Sequence, residues 1–356
     1  MPIFSFASAC SKIPEDVLGT LRADVAEWQG SGLSALELPF TDQAFADIAA
    51  LAEHDLRVLL DLPDCYRVLF LQGGASAQFT FLPMNLFGSA SHCDYVESGH
   101  WSRRAIAAAR PYGDVRVIAG RHGSTLSDAE TWDRSPDAAY CHYTTNETAD
   151  GLQFHTFPEA GDVPLVADMT ADFLTRPIPV SRFGLIYASA QKNLGAAGLT
   201  LLIVHQDLLG HAQCGTPAPF DYGRQAAARS RVNTPPTFAV IVASRMLAWL
   251  RAQGGLAAAQ ARNEVKSAKL YAEIDDDGFY RCPASSPCRS SISVCFHLPD
   301  PALDLMFLQE AQAQGLYHLR GHPDVGGIRA SLYNAVPDTA VDALASFMSD
   351  FKRRRG

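Results

Sequence analysis

With 356 residues, 47% of them hydrophobic and 19% charged, the chain is long enough to bury one large core and one smaller one, in a composition typical of soluble globular proteins. A net charge of −9 supplies no basic stripe for nucleic acid, and the one basic run, Lys352–Arg355, reads as a solvated end. No apolar run approaches the roughly 20 residues that span a bilayer, and eight cysteines without a C-x-x-C pair, a zinc spacing or a leading hydrophobic segment read as reduced thiols of a cytoplasmic protein that binds no metal.

The first dozen residues, with Ile3, Phe4 and Phe6, read as a short strand or arm. Pro14 opens a helix whose apolar positions Val17, Leu18, Leu21, Val25 and Trp28 recur at helical spacing up to Gly30. A second helix starts near Asp42, and Tyr66–Leu71 is apolar enough for a strand buried on both faces. That strand runs into Gln72-Gly73-Gly74-Ala75-Ser76-Ala77-Gln78, followed by a helix read over Phe79–Leu86 despite Pro83. Strand, small-residue turn and helix N-terminus together make an anion site, although the turn matches neither the P-loop nor the dinucleotide fingerprint.

Strands are expected at Asp94–Glu97, Val115–Ile118 and Ala138–Tyr143, and a helix at Ser102–Ala109. Trp101 lies between the first strand and that helix, placed to stack on a flat ring or to pack in the core. The polar run Thr144–Thr148 suits either a binding site at a strand end or an ordinary capped turn. Beyond Val204 come a long helix over Phe238–Gln253, a second over Leu256–Ile274, a strand at Ser291–Leu298, a helix at Asp304–Gln314 and a closing helix over Thr339–Lys352. The pattern predicts an α/β chain with a large domain over residues 15–253 and a smaller one formed by 1–14 with 254–356.

Between Arg182 and His205 the only ionisable charge is Lys192, set between the apolar runs Phe183–Ala188 and Leu199–Val204. Burial there favours the neutral amine, a nucleophile towards aldehydes; a surface lysine at a hairpin tip fits the same residues. Upstream, the apolar run Pro164–Ala167 ends on Asp168. An acid at one buried strand end and a lysine beyond another are what pyridoxal phosphate chemistry requires: the acid keeps the pyridine nitrogen protonated, and the lysine holds the aldehyde and moves protons.

YASAQKN at 187–193, NTPPTF at 233–238, NET at 146–148, the Gly73-Gly74 turn and GHPDVGGIRASLYNA at 321–335 together resemble the phosphoserine aminotransferase family, nearly end to end. The resemblance implies a fold-type I pyridoxal-phosphate enzyme and a homodimer with shared active sites acting on a small amino acid and a 2-oxo acid. Its large domain would have a mostly parallel sheet of the seven-stranded type sandwiched by helices, with a smaller α/β C-terminal domain. It also implies that Lys192 bonds the cofactor, Asp168 meets the pyridine nitrogen, Trp101 stacks on the ring and Thr148 lies near the phenolic oxygen. Ala75, Ser76 and Gln191 would hold the phosphate, with Asn233 and Thr234 arriving from the other subunit, and Arg329 would clamp the substrate α-carboxylate.

Departures from the family concern the substrate's distal end. The usual Ser-His-Arg is here Pro39-Phe40-Thr41, the arginine of the Gly-rich turn is replaced by Ser76, and Pro323 follows His322 where the family commonly has arginine. Each charge-assisted hydrogen bond contributes roughly 1.5–3 kcal/mol. Their loss beside His322, Phe40 and Thr41 predicts a side-chain specificity moved away from phosphoserine, towards a neutral group in a specialised pathway. The alternative is an authentic phosphoserine aminotransferase of serine biosynthesis, with Arg103, Arg104, Arg224 or His100 as replacement cations. Elimination, decarboxylation and a non-catalytic binding role are further alternatives.

Overall fold

The structure is a computed structural model and describes residues 2–356. The chain runs through β1 (Phe4–Ser5), α1 (Glu15–Ala26), α2 (Gln43–Leu60), β2 (Tyr66–Gln72), α3 (Gly74–Leu86), β3 (His92–Glu97), α4 (His100–Ala109), β4 (Asp114–His122) and β5 (Thr125–Leu126). It continues through β6 (Cys141–Thr144), β7 (Asn146–Glu147), β8 (Leu152–Gln153), β9 (Leu165–Asp168), β10 (Leu185–Ser189), β11 (Leu199–His205), α5 (Tyr222–Ala227) and α6 (Thr237–Ala252). The remainder is α7 (Gly255–Asp275), β12 (Ser293–Phe296), α8 (Ala302–Ala313), β13 (Leu316–Tyr317), β14 (Ile328–Ser331) and α9 (Asp338–Arg355).

Eight strands form one sheet in the order β2-β11-β10-β9-β6-β3-β4-β5. From β10 to β4 every pairing is parallel, whereas β11 is antiparallel to both its neighbours. The expected sheet is therefore mixed at one side, because β10 turns straight back into β11 as a hairpin. Two reversals leave β2 running with β10, so β2, β10, β9, β6, β3 and β4 deliver their carboxyl ends to one edge. From the adjacent pair β3 and β6 the chain progresses in opposite directions, β3 to β4 one way and β6 to β9 to β10 the other. This is the switch point at which doubly wound sheets bind ligands.

Strand alternation builds the three layers. Val68, Phe70, Ile186, Ala188, Leu201 and Ile203 face the core shared with α1, α2 and α6, while Leu69, Leu71, Leu185, Tyr187, Leu202 and Val204 face α3 and α4. A separate core joins Phe6 to the end of α7, β12, β14, α8 and α9. In it β1 pairs with β13 and β12 with β14. Among the described residues no helix is long and apolar enough to cross a membrane, and all eight cysteines are unpaired.

Element boundaries differ from expectation where a cap intervenes. The first helix stops at Ala26, and Trp28 packs as a buried residue beyond its end. Helix α3 begins at Gly74, five residues before the expected start at Phe79, because Gly73 adopts φ +104° and turns the strand directly into the helix. Pro83 is accommodated inside it.

Gly195 carries a more demanding turn in the β10–β11 connection. Its φ is +113°, and an added Cβ would lie 2.5 Å from Val242 Cγ1 on α6. Combining left-handed strain with overpacking, G195A is expected to lower stability by about 2–4 kcal/mol; a urea midpoint equal to that of the parent chain would contradict this close packing.

Candidate active site

Lys192 sits in the β10–β11 connection, so the hairpin position is real, yet the residue is only 7% exposed. The turn is held from several directions. Ser11 donates its N–H to the Gln191 carbonyl at 2.9 Å and its hydroxyl to the Lys192 carbonyl. Asn193 donates to the Phe173 carbonyl (3.0 Å) and accepts the N–H of Asn334 (3.0 Å). With its backbone fixed, the lysine points Nζ to 3.3 Å from Thr148 Oγ1. Burial lowers its pKa to about 8, against the opposing pull of the Asp168 carboxylate.

Asp168 ends β9 and accepts the Thr170 N–H at 2.9 Å. Burial raises its pKa, and Thr170 and Lys192 offset only part of that rise. A buried acid in that condition gains from a cationic partner. Beside it, the Thr170 hydroxyl accepts the N–H of Ser189 (3.2 Å), which ties the end of β9 to the end of β10.

Trp101 is placed by the start of α4. Glu147 is wholly buried and accepts from Ser98 Oγ (3.1 Å), Trp101 N (2.8 Å) and Ser102 N (2.9 Å), and Asp150 accepts the His100 N–H (3.1 Å) and a 2.6 Å bond from Arg121. Two carboxylates thus satisfy amides at the helix N-terminus, where the dipole favours negative charge. Desolvation still raises the Glu147 pKa, to about 7. The motif NET drew attention to Thr148; its middle residue, which supports the whole rim, was missed because a buried capping carboxylate has no signature of its own.

A cleft of about 440 Å³ brings together Lys192, Asp168, Trp101, Thr148, Gln191, Ala75, Ser76, His322 and Arg329. Thr144 and Asn146, from the polar run that offered a binding site at a strand end, also line it, as do Ser8, Thr170 and Ser189, which were given no role from the sequence. Asn233 and Thr234 are exposed and lie outside the cleft of their own chain. Phe40 packs against the large core and Thr41 is exposed; neither lines this cleft, so the expected contact with a substrate side chain is not made within one chain.

The lining fits an aromatic anion with a ring nitrogen and a phosphate. Trp101 Nε1, Thr144 Oγ1 and Asn146 Oδ1 are buried without a partner in the chain. The amides opening α3 face the same space from a Gly-Gly turn with φ +104° and +72°. Arg329, on β14 and 8% exposed, donates to the Thr148 carbonyl at 3.0 Å and so brings the smaller core's strand to the large sheet's rim.

A family described as Aminotransferase class-V matches residues 3–344. The phosphoserine aminotransferase of Laribacter hongkongensis is 50% identical over 100% of both chains. The chain belongs to the phosphoserine aminotransferase family of class-V aminotransferases. The Nitrosomonas europaea phosphoserine aminotransferase is 46% identical over 99% of this chain and 98% of its own. Among solved structures, phosphoserine aminotransferase from Bacillus circulans subsp. alkalophilus superposes with a TM-score of 0.96 at 37% identity, over 99% of this chain and 98% of that one. The pyridoxal-phosphate-bound enzyme from Trichomonas vaginalis gives 0.94 at 34% identity, over 98% of this chain and 99% of that one. The chain has the α/β fold-type I architecture and is a pyridoxal-phosphate-dependent transaminase.

Two titrations follow from this class-V site. In cofactor-free chain, labelling of Lys192 by an amine reagent, followed by peptide mass spectrometry, is expected to titrate near pH 8, and D168N should move the midpoint lower because the carboxylate favours the ammonium. A midpoint that D168N leaves unmoved would refute the coupling. Glu147, raised from 4.5 to about 7, holds a proton in the folded chain that the unfolded chain releases, so it lowers stability as pH rises between those values. The melting-temperature advantage of the parent chain over E147Q should therefore shrink from pH 4.5 to pH 7.

Proposed function

We propose that the chain catalyses transamination between O-phosphoserine and 2-oxoglutarate, the step of serine biosynthesis, as a cytoplasmic homodimer with shared active sites. The observation that carries this reading is the end-to-end 50% identity to a phosphoserine aminotransferase, together with a cleft in which Lys192, Asp168 and Arg329 converge.

When bound, pyridoxal phosphate supplies an aldehyde that exchanges for the amino group and a ring that takes up the electron pair released at the α-carbon. Lys192 would hold that aldehyde, and its Nζ, once released by the incoming amino group, would accept the α-proton of the donor. Asp168 keeps a proton on the ring nitrogen, which relieves its own unfavourable burial. Trp101 would stack on the ring, and Thr148 would donate to the phenolic oxygen. The amides of Ala75 and Ser76, the α3 dipole and Gln191 hold the phosphate, with the exposed Asn233 and Thr234 of a second copy completing the cradle. Arg329 clamps the α-carboxylate with its planar fork. His322, at the rim, donates to the substrate's distal group. Because donor and acceptor use one cleft in turn, kinetics are ping-pong.

A second reading, specificity moved towards a neutral side chain, is favoured by one observation: apart from Lys192 and Arg329, no lysine or arginine lines the cleft of this chain among the described residues. Steady-state kcat/KM for phosphoserine against serine, alanine and other neutral amino acids separates the two. Phosphoserine is expected to be preferred by roughly a hundredfold, the worth of one or two charge-assisted bonds; a preference for a neutral donor would replace the first reading with the second. K192A should lower kcat by at least roughly 10²–10⁴ with either donor, and R329K should raise the donor KM.

A further inference from the structure

The rim of the cleft carries a cluster of three residues, of which the reading above uses only His322. His100, on the first residue of α4, His322 and Asp324 each offer a donor atom within 4.8 Å of the other two, and this is the one such group of three among the described residues. His100 Nδ1 lies 3.1 Å from Asp324 Oδ2, and His322 Nδ1 lies 3.9 Å from the same oxygen. Zinc bonds of about 2.0–2.2 Å place tetrahedral ligand atoms about 3.4 Å apart, so these two separations bracket the required edge. We propose that His100, His322 and Asp324 form a binding site for a zinc-class divalent cation at the mouth of the cleft, and that the bound ion antagonises the amino donor by engaging His322.

The donor set is two imidazoles and a carboxylate, which suits zinc and its first-row neighbours and leaves a fourth position for water. Both rings are held largely out of solvent, 13% and 18% exposed, with centroids 4.2 Å apart, while Asp324, at 65%, opens the path for an ion to enter. The backbone is set in advance. Asp150 accepts the His100 N–H, and the Val325 and Gly326 N–H groups close back on the His322 carbonyl at 3.0 and 2.7 Å. Gly321 packs so closely on this turn that an added Cβ would lie 1.9 Å from the Gly326 carbonyl oxygen. The Asp324 N–H donates to His322 Nδ1 (3.2 Å), which marks that nitrogen as the one carrying a lone pair, so an ion takes the place of an amide hydrogen.

Other histidine–carboxylate approaches, His205 with Asp207 (3.5 Å) and His92 with Asp137 (3.7 Å), are pairs and provide the control. Zinc is titrated calorimetrically into the dimeric holoenzyme, for the parent chain, H100A, D324N and H205A. The parent and H205A are expected to bind one tight equivalent per chain, and H100A and D324N to lose it by at least the roughly 10–100-fold that even an outer-shell partner is worth. Equal affinity and stoichiometry in all four chains would overturn the site. This arm reads no turnover, so it stands whatever the amino donor. The antagonism rests on His322 meeting the donor, as proposed above. Zinc should raise the donor KM in the parent chain, reversibly with EDTA, and leave the KM of H100A at its own zinc-free value; an unchanged parent KM at saturating zinc would overturn it.

Discussion

Keeping an amine ionisable at neutral pH inside a dry interior is the constraint to which the rest of the molecule answers. Lys192 is buried at the edge of a sheet whose neighbouring strands are apolar on both faces, and that environment lowers its pKa to about 8. Left alone, so costly a group would move its backbone or draw in water. Here the backbone cannot move. The N-terminal arm bonds the turn from one side, Asn193 and Asn334 clasp it from another, and Gly195 lets the chain pass against α6. The acid that moderates the cost, Asp168, occupies the end of the adjoining parallel branch of the sheet.

A second buried charge shapes the opposite wall. Glu147 and Asp150 cap the start of α4 and thereby fix both the indole of Trp101 and the imidazole of His100. Opposite them, Arg329 reaches from the smaller core to the Thr148 carbonyl, and Tyr333 donates to the Ser8 carbonyl at 2.9 Å. The cleft is therefore a junction where three chain regions far apart in sequence are tied by backbone acceptors. Its chemistry depends on their remaining in register.

Much of this was legible in the residues. Apolar runs flanked by glycines marked β2, β10 and β11, and the residues at or beyond strand ends, Asp168, Thr148, Lys192 and the Gly73 turn, lie in one cleft. Lys192 does sit at a hairpin tip but is buried there and not at the surface, because a hairpin tip is exposed only when nothing packs over it. Phe40 and Thr41 were placed beside a substrate by alignment of short motifs, and in the folded chain they sit on the core and at the surface. Short-range pattern carries no information about which cleft a loop faces.

Periodicity and turn chemistry were enough by themselves to determine an α/β chain, since those features are local; one lysine and one acid isolated in apolar surroundings pointed to pyridoxal-phosphate chemistry, and the family motifs YASAQKN and NTPPTF carried that reading. Only the tertiary structure decided that the sheet reverses at β11, that Glu147 supports Trp101 and that His100 meets His322 and Asp324. Those facts depend on contacts between residues tens to hundreds of positions apart, and the free energy of such contacts is set by packing and desolvation, which no stretch of sequence expresses alone.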